Sequence, residues 1–293
     1  MSAFTRREFI RTSLAVGAMG SVGTLPLQAA ARSATDTVTL GKSGMKVTRL
    51  AFGTGTNNGH VQAALGQQEF TRLVHYGYDR GIRFFETAEA YVTPGMLGEA
   101  LKGLPRESYQ LMNKVTTDEG ADPQRRFEEM LRASQTEYFD IMLLHWQHTP
   151  DWVASSGPWE DGIVAAQSKK LIRTRGASVH GLPALRRMPG NQWLEVAMIR
   201  MNHNGTRMDG PGGAPSNPES VGEVVEHVKQ VKREGMGVIS MKLIGEGTFT
   251  RREDRQAAMR FAFNNAGVDC VTVGFKSTQE IDEAIENLNL ALA

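Results

Sequence analysis

From Thr37 onward, short runs rich in β-branched and aromatic residues alternate with longer segments whose apolar positions recur every three or four residues. The strand-like runs are Leu50 to Gly53, Arg83 to Glu86, Gln110 to Lys114, Tyr138 to His145, Thr174 to Ser178, Glu195 to Asn202, Gly237 to Lys242 and Val268 to Gly274. Helical periodicity falls at Gln67 to Arg80, Met96 to Lys102, Pro123 to Thr136, Trp159 to Lys169, Leu182 to Met188, Ser220 to Arg233, Arg255 to Asn265 and Gln279 to Leu290. Asp122 before Pro123 supplies the cap and first-turn proline of a helix start. Ahead of the first strand, Thr37 to Leu40 and Met45 to Val47 flank Gly41-Lys42-Ser43-Gly44 and read as a hairpin. Regular alternation of this kind favours an α/β fold closed as a (β/α)8 TIM barrel with a short N-terminal β-hairpin. A doubly wound dinucleotide fold is disfavoured, because Asn57-Asn58-Gly59 follows Gly53-Thr54-Gly55 where a helix N-terminus should cradle a pyrophosphate.

Two stretches break the alternation: Gln147 to Pro158 after the fourth strand and Asn204 to Glu219 after the sixth. Both read as long loops over the mouth of the barrel, as substrate walls or as surface insertions.

The first thirty-one residues follow a different pattern. Thr5-Arg6-Arg7-Glu8-Phe9-Ile10 and Arg11 precede a Gly/Ala-rich apolar stretch from Leu14 to Leu27 and then Ala29-Ala30-Ala31. That is the order of a secretory signal, and the paired arginines resemble the twin-arginine class, which exports folded proteins. Residues 1–31 are therefore expected to be a signal peptide read by the twin-arginine export machinery, and residues 32–293 a barrel that folds first and is then exported or periplasmic. Gly17, Gly20, Gly23 and Pro26 would make a poor amphipathic helix, and the apolar run falls short of the roughly 18 to 20 residues of a membrane anchor.

Composition narrows the chemistry. Thirty-three Lys plus Arg against 32 Asp plus Glu give a net charge of +1, with no basic run to hold a phosphate backbone, so nucleic acid is not an expected partner. The single cysteine, Cys270, permits no internal disulfide and no Cys-based iron–sulfur cluster. It reads as a buried strand residue.

Strand ends carry the chemistry of such barrels. Here they present Glu86, Lys114, His145, Ser178, Asn202 and, just past the last strand, Lys276, with Tyr91 in the loop after Glu86. A phenol titrates near 10, and an adjacent ammonium is expected to lower that value. Lys114 can supply the charge, Glu86 can hold Lys114, and His145 can orient a substrate oxygen, which together make a tuned general acid.

These residues resemble the aldo-keto reductase family. The resemblance spans about Thr37 to Leu290 and rests on Val47-Thr48-Arg49-Leu50-Ala51-Phe52-Gly53-Thr54-Gly55, Gly81 to Tyr91 with Gly98-Glu99-Ala100-Leu101, Asp140 to Trp146, Arg175-Gly176-Ala177-Ser178 and Val273-Gly274-Phe275-Lys276-Ser277. It implies reversible hydride transfer between a nicotinamide cofactor and a carbonyl substrate. Tyr91 would be the proton donor, Lys114 its modulator, His145 the carbonyl-orienting group and Glu86 the partner of Lys114. Ser178 would bind the nicotinamide carboxamide, Leu243, Gly245 and Gly247 would follow the pyrophosphate, and Lys276, Ser277 and Glu280 would meet the adenosine ribose. Trp146 and His203 would line the substrate pocket.

The chain departs from the family pattern at several of these positions. Glu86 stands where the family has aspartate, Val179 where asparagine is usual, and Met198 and Met201 where the nicotinamide is usually contacted by glutamine and an aromatic residue. Lys276 favours NADPH, and Glu280 opposes its 2'-phosphate; NADPH is the expected cofactor over NADH. No metal is expected. Two other readings stay open: a non-catalytic nucleotide- or partner-binding barrel, and a metal-dependent hydrolase built on His145, His148, His180 and His203.

Overall fold

The computed structural model describes residues 32–208 and 221–293. The proposed export signal, residues 1–31, and most of the stretch after the sixth barrel strand lie outside the described residues.

The described residues form ten strands: β1 (Thr37–Leu40), β2 (Met45–Thr48), β3 (Leu50–Gly53), β4 (Phe84–Glu86), β5 (Gln110–Val115), β6 (Phe139–Gln147), β7 (Ile172–Val179), β8 (Val196–Arg200), β9 (Gly237–Met241) and β10 (Cys270–Gly274). β1 and β2 form an antiparallel hairpin, and β3 to β10 close on themselves in sequence order, parallel throughout. The helices are α1 (His60–Ala63), α2 (Gly66–Asp79), α3 (Pro94–Leu101), α4 (Pro123–Ala133), α5 (Trp152–Ser155), α6 (Gly157–Ser168), α7 (Leu182–Leu185), α8 (Val221–Arg233), α9 (Arg252–Arg260) and α10 (Thr278–Leu292). This is the eight-stranded parallel barrel that the alternation predicts.

Local chemistry fixes the helix starts. The Asp122 side chain accepts the Gln124 amide at 3.0 Å with Pro123 in the first turn of α4, a cap that typically contributes about 1 kcal/mol. At α10, Ser277 Oγ accepts the Glu280 amide at 3.2 Å while Glu280 Oε2 accepts the Lys276 amide at 2.7 Å. Ser-x-x-Glu is the signature of such reciprocal capping.

Strand periodicity separates two cores. Ala51, Phe84, Met112, Ile141, Leu143, Val196, Met198, Ile239, Met241 and Cys270 form the barrel interior, joined by Leu40 and Val47 of the hairpin. The alternate residues, among them Phe52, Phe85, Leu144, Ile199 and Met201, pack outward under the helices. The hairpin closes the N-terminal end, where Lys42 donates its amide to Gly235 O at 2.6 Å and Gly41 bridges Met236. With that end sealed, polar side chains that continue the inward series gather at the C-terminal end.

Several boundaries differ from the periodicity. β8 stops at Arg200 rather than Asn202, whose side chain instead donates to Thr206 O at 2.6 Å. Part of the stretch after β6 is helical, as α5 and the start of α6, because Trp152 buries its ring and donates Nε1–H to Ala184 O at 3.1 Å. Met201 points into the outer core and cannot contact a nicotinamide; Met241 lines the open end beside Met198.

Candidate active site

Six inward positions converge at the open end: Glu86 on β4, Lys114 on β5, His145 on β6, Ser178 on β7, Arg200 on β8 and Thr272 on β10, all buried. Tyr91 enters from the loop after β4. Gly55 makes room for it, since a β-carbon there would lie 2.6 Å from the Tyr91 hydroxyl.

Lys114 has no exposed surface. Its ammonium donates to Glu86 Oε1 and to Thr87 O, the latter at 2.6 Å, and stands 4.8 Å from the centre of the Tyr91 ring. An ammonium has three protons, so one remains for the phenol side. The other Glu86 oxygen, Oε2, accepts the Thr272 hydroxyl at 3.2 Å. The longer glutamate is accommodated by Gly53, where a β-carbon would lie only 3.0 Å from Oε2. Each partner of the pair thus has a hydrogen bond besides the one they share, as a buried charge pair requires.

The expected lowering of the Tyr91 hydroxyl is not what the structure gives. Burial raises it well above the usual phenol value, the Glu86 and Glu246 carboxylates raise it further, and Arg200 opposes them. Burial also pulls the Lys114 ammonium below the usual lysine value, against the Glu86 carboxylate that supports it. Tyr91 is therefore a protonated phenol at neutral pH.

The His145 ring stands edge-on to Tyr91, with centroids 5.7 Å apart. Burial first, then Lys114 and Lys242, push its pKa well below the usual histidine range, so the ring is neutral. The same holds for His180, 6.0 Å from His145 between ring centroids. Arg200 donates to His180 Nδ1 at 2.8 Å, which leaves the ring proton on Nε2 to be donated to Ser178 Oγ at 3.1 Å. The Ser178 proton then points onward, toward Met241 Sδ at 3.9 Å.

The loop after β9 is held over the mouth. Lys242 and Glu246 both adopt positive φ, 56° and 57°, and pair with each other. Glu246 also binds Arg207 at 3.0 Å and accepts the Asn57 amide from the loop after β3. Trp146, Asn57, Asn58 and Arg207 adopt positive φ as well, so backbone strain is concentrated at this end.

A groove of about 370 Å³ runs outward from Glu86, Tyr91, Met198 and Met241, past Leu243, Ile244, Glu246 and Gly247, to Lys276, Glu280 and Asn287. Of the expected cofactor contacts, Leu243, Gly247, Lys276 and Glu280 line it; Ser178, Gly245 and Ser277 do not. Ser277 and Glu280 are engaged in the α10 cap. Trp146 is half exposed at the rim and stacks on His148 at 4.3 Å, and His203 packs against Phe249 at 5.2 Å. Among the described residues no three His, Cys, Asp or Glu side chains approach as a metal-binding set.

Sequence reasoning missed Arg200, Lys242, Glu246 and Thr272. Arg200 and Thr272 were available from parity, two residues beyond the interior Met198 and Cys270. Lys242 and Glu246 sit in irregular backbone, where no periodicity points inward.

The sequence pattern of the aldo/keto reductase family matches residues 49–288. A probable aldo-keto reductase of Glycine max is 30% identical over 159 residues, covering 50% of this chain and 44% of that protein. The methylglyoxal reductase DkgA of Salmonella typhimurium is 27% identical over 140 residues, covering 45% of this chain and 50% of the enzyme. The chain thus spans about half the length of the curated relatives it matches. A crystal structure of a putative aldo-keto reductase from Pseudomonas aeruginosa superposes with a TM-score of 0.70 at 19% identity, over 89% of this chain and 98% of that one. One from Klebsiella pneumoniae, in complex with NADPH, gives 0.66 at 19% identity over 88% and 91%. At such identity these two likenesses concern the fold.

Proposed function

The chain belongs to the aldo/keto reductase family, and from that premise we propose that it moves a hydride between NADPH and the carbonyl of a small substrate, with Tyr91 as proton donor. The observation that carries this reading is a protonated phenol flanked by the Lys114 ammonium and the neutral His145 imidazole, at the open end of a groove.

The groove fits a dinucleotide. Gln62 Oε1 and Asn287 Oδ1 are buried acceptors without a partner among the described residues, and both side chains line it, as donors on an adenosine would require. Gly53, Gly55, Gly247 and Gly274 leave parts of its wall without side chains. Ser178, whose oxygen accepts from His180 and whose proton makes only the long contact to Met241 Sδ, would turn that proton to a carboxamide oxygen. Leu243, Gly245 and Gly247 would follow the pyrophosphate, and Lys276 and Ser277 would meet the ribose, with Glu280 beside them. Trp146 and His203 would be substrate walls.

Bound NADPH supplies the hydride to the carbonyl carbon. His145, kept neutral by burial, donates a ring N–H to the carbonyl oxygen and fixes its position. Tyr91 then gives its proton to that oxygen as negative charge develops on it. Lys114, anchored by Glu86 and Thr87, stabilises the phenolate left behind. Its charge matters most at that moment, because a phenolate and not a phenol attracts it.

Residues 1–31 are proposed as a twin-arginine signal, with the barrel folding around its dinucleotide before export. Fractionation of cells expressing the full chain and an Arg6→Lys, Arg7→Lys variant tests this; retention of the variant in the cytoplasm is the expected result.

Titration of the full chain with NADPH and then NADH, read by tryptophan fluorescence, tests the cofactor. Saturable quenching followed by NADPH oxidation on adding methylglyoxal, the substrate class in the name of one relative, supports the reading. Absence of binding by either dinucleotide overturns it.

A further inference from the structure

The positive charges at the mouth are unequally matched. Lys114 is satisfied by Glu86 and Thr87, and Lys242 and Arg207 share Glu246. Arg200 has no carboxylate within ion-pair distance among the described residues, and Glu246 acts on it only from farther away. It is 6% exposed; Nη2 donates to His180, while Nε and Nη1 are buried without a hydrogen-bond partner among the described residues. His180 cannot balance the charge, because its Nδ1 accepts from Arg200 and the ring is neutral. A buried guanidinium with open donors is tolerated where an incoming anion completes it.

Its position says which anion. The Arg200 guanidinium is joined through His180 to His145, and His145 faces Tyr91, so it stands beyond the carbonyl-orienting side of the mouth, away from the Glu86–Lys114 pair. Its charge reaches Tyr91, favouring the phenolate. It is not part of the wall of the groove along Leu243 to Gly247, where Glu246 and Lys242 stand. A planar fork of N–H groups matches a carboxylate in two-point contact, which an ammonium does not.

We propose that Arg200 anchors a carboxylate on the substrate, so that the preferred substrates are aldehydes or ketones carrying a carboxylate a few bonds from the carbonyl. This rests on the reductase reading of the same site. His180 is then a positioning residue: it holds the guanidinium in plane and passes the orientation on to Ser178.

The test uses the full chain with NADP+ bound and succinate as a carboxylate probe that does not react, measured by calorimetry, in wild type, Arg200→Gln and Arg200→Lys. Wild type should bind succinate, Arg200→Gln at least tenfold more weakly, and Arg200→Lys in between, a larger loss than any that Arg200→Gln causes in NADP+ affinity through His180 and Ser178. Turnover adds a second readout: wild type should prefer 4-oxobutanoate to butanal in kcat/KM by at least tenfold, and Arg200→Gln should lose most of that preference. Equal succinate binding in wild type and Arg200→Gln, or none in wild type, overturns the proposal. Weaker NADP+ binding in Arg200→Gln with succinate affinity retained would also overturn it, assigning the guanidinium to the pyrophosphate. Failure of NADP+ to bind wild type at all marks instead the failure of the reductase reading.

Discussion

The Lys114 ammonium lies 4.8 Å from the centre of the Tyr91 ring, and yet the Tyr91 hydroxyl is held above, not below, the usual phenol value. Burial is the first cause, and the Glu86 carboxylate, whose charge disfavours the phenolate, is the next. The site is set for proton donation. Carbonyl reduction should therefore keep a flat kcat through neutral pH to about 9, whereas alcohol oxidation, which needs the phenolate, should rise roughly tenfold per pH unit over that range. Initial rates in both directions from pH 6 to 10 check this, and a falling reduction rate near pH 7 would contradict it.

Gly55 is fixed by the same ring. Alanine there would place a β-carbon 2.6 Å from the Tyr91 hydroxyl, and the loop must move to relieve it. Gly55→Ala should lower kcat about 100-fold, as expected for misplacement of about 1 Å, with a stability cost of about 1 to 3 kcal/mol. Steady-state rates and urea denaturation separate the two effects.

Glu280 sits at the far end of the groove, capping α10 and facing the Lys276 ammonium at 3.8 Å. Its carboxylate opposes a 2'-phosphate, so Glu280→Gln should tighten NADPH binding by about threefold to tenfold and leave NADH binding nearly unchanged. Removing a negative charge from the first helical turn should also cost about 0.3 to 1 kcal/mol. Paired dinucleotide titrations and thermal unfolding measure both.

Buried neutral histidines make the fold sensitive to acid. His145 and His180 are pushed well below the usual histidine value, by burial first and then by neighbouring cations. Between their folded values and about 6.5, the unfolded chain binds more protons than the folded one, so unfolding free energy falls as pH drops through that window. Urea denaturation at pH 5, 6, 7 and 8 should show the loss below about pH 6.5, and His180→Asn should flatten the slope.

The barrel was legible because parallel strands buried on both faces and amphipathic helices differ plainly in period, and the order of elements then admits few closures. The gathering of Glu86, Lys114 and His145 at one end was legible because all three lie on the inward parity near the C-terminal ends of their strands. Parity also explains two further features. Met198 and Met201 are an odd number of residues apart, so they face opposite sides of the strand, and β8 stops two residues before Asn202, which leaves Arg200 as its last inward residue. The Tyr91 shift was not readable, because it depends first on burial, then on Glu86, and then on Glu246, which two positive-φ residues in an irregular loop bring to the mouth.

The central claim is that Tyr91 gives the proton. Single-turnover reduction of methylglyoxal by the NADPH complex, in wild type and Tyr91→Phe, tests it most directly, with dinucleotide affinity measured on the same samples. The account predicts a rate lower by about 100-fold to 10,000-fold with NADPH affinity intact. A Tyr91→Phe protein that binds NADPH and turns over at the wild-type rate would contradict it.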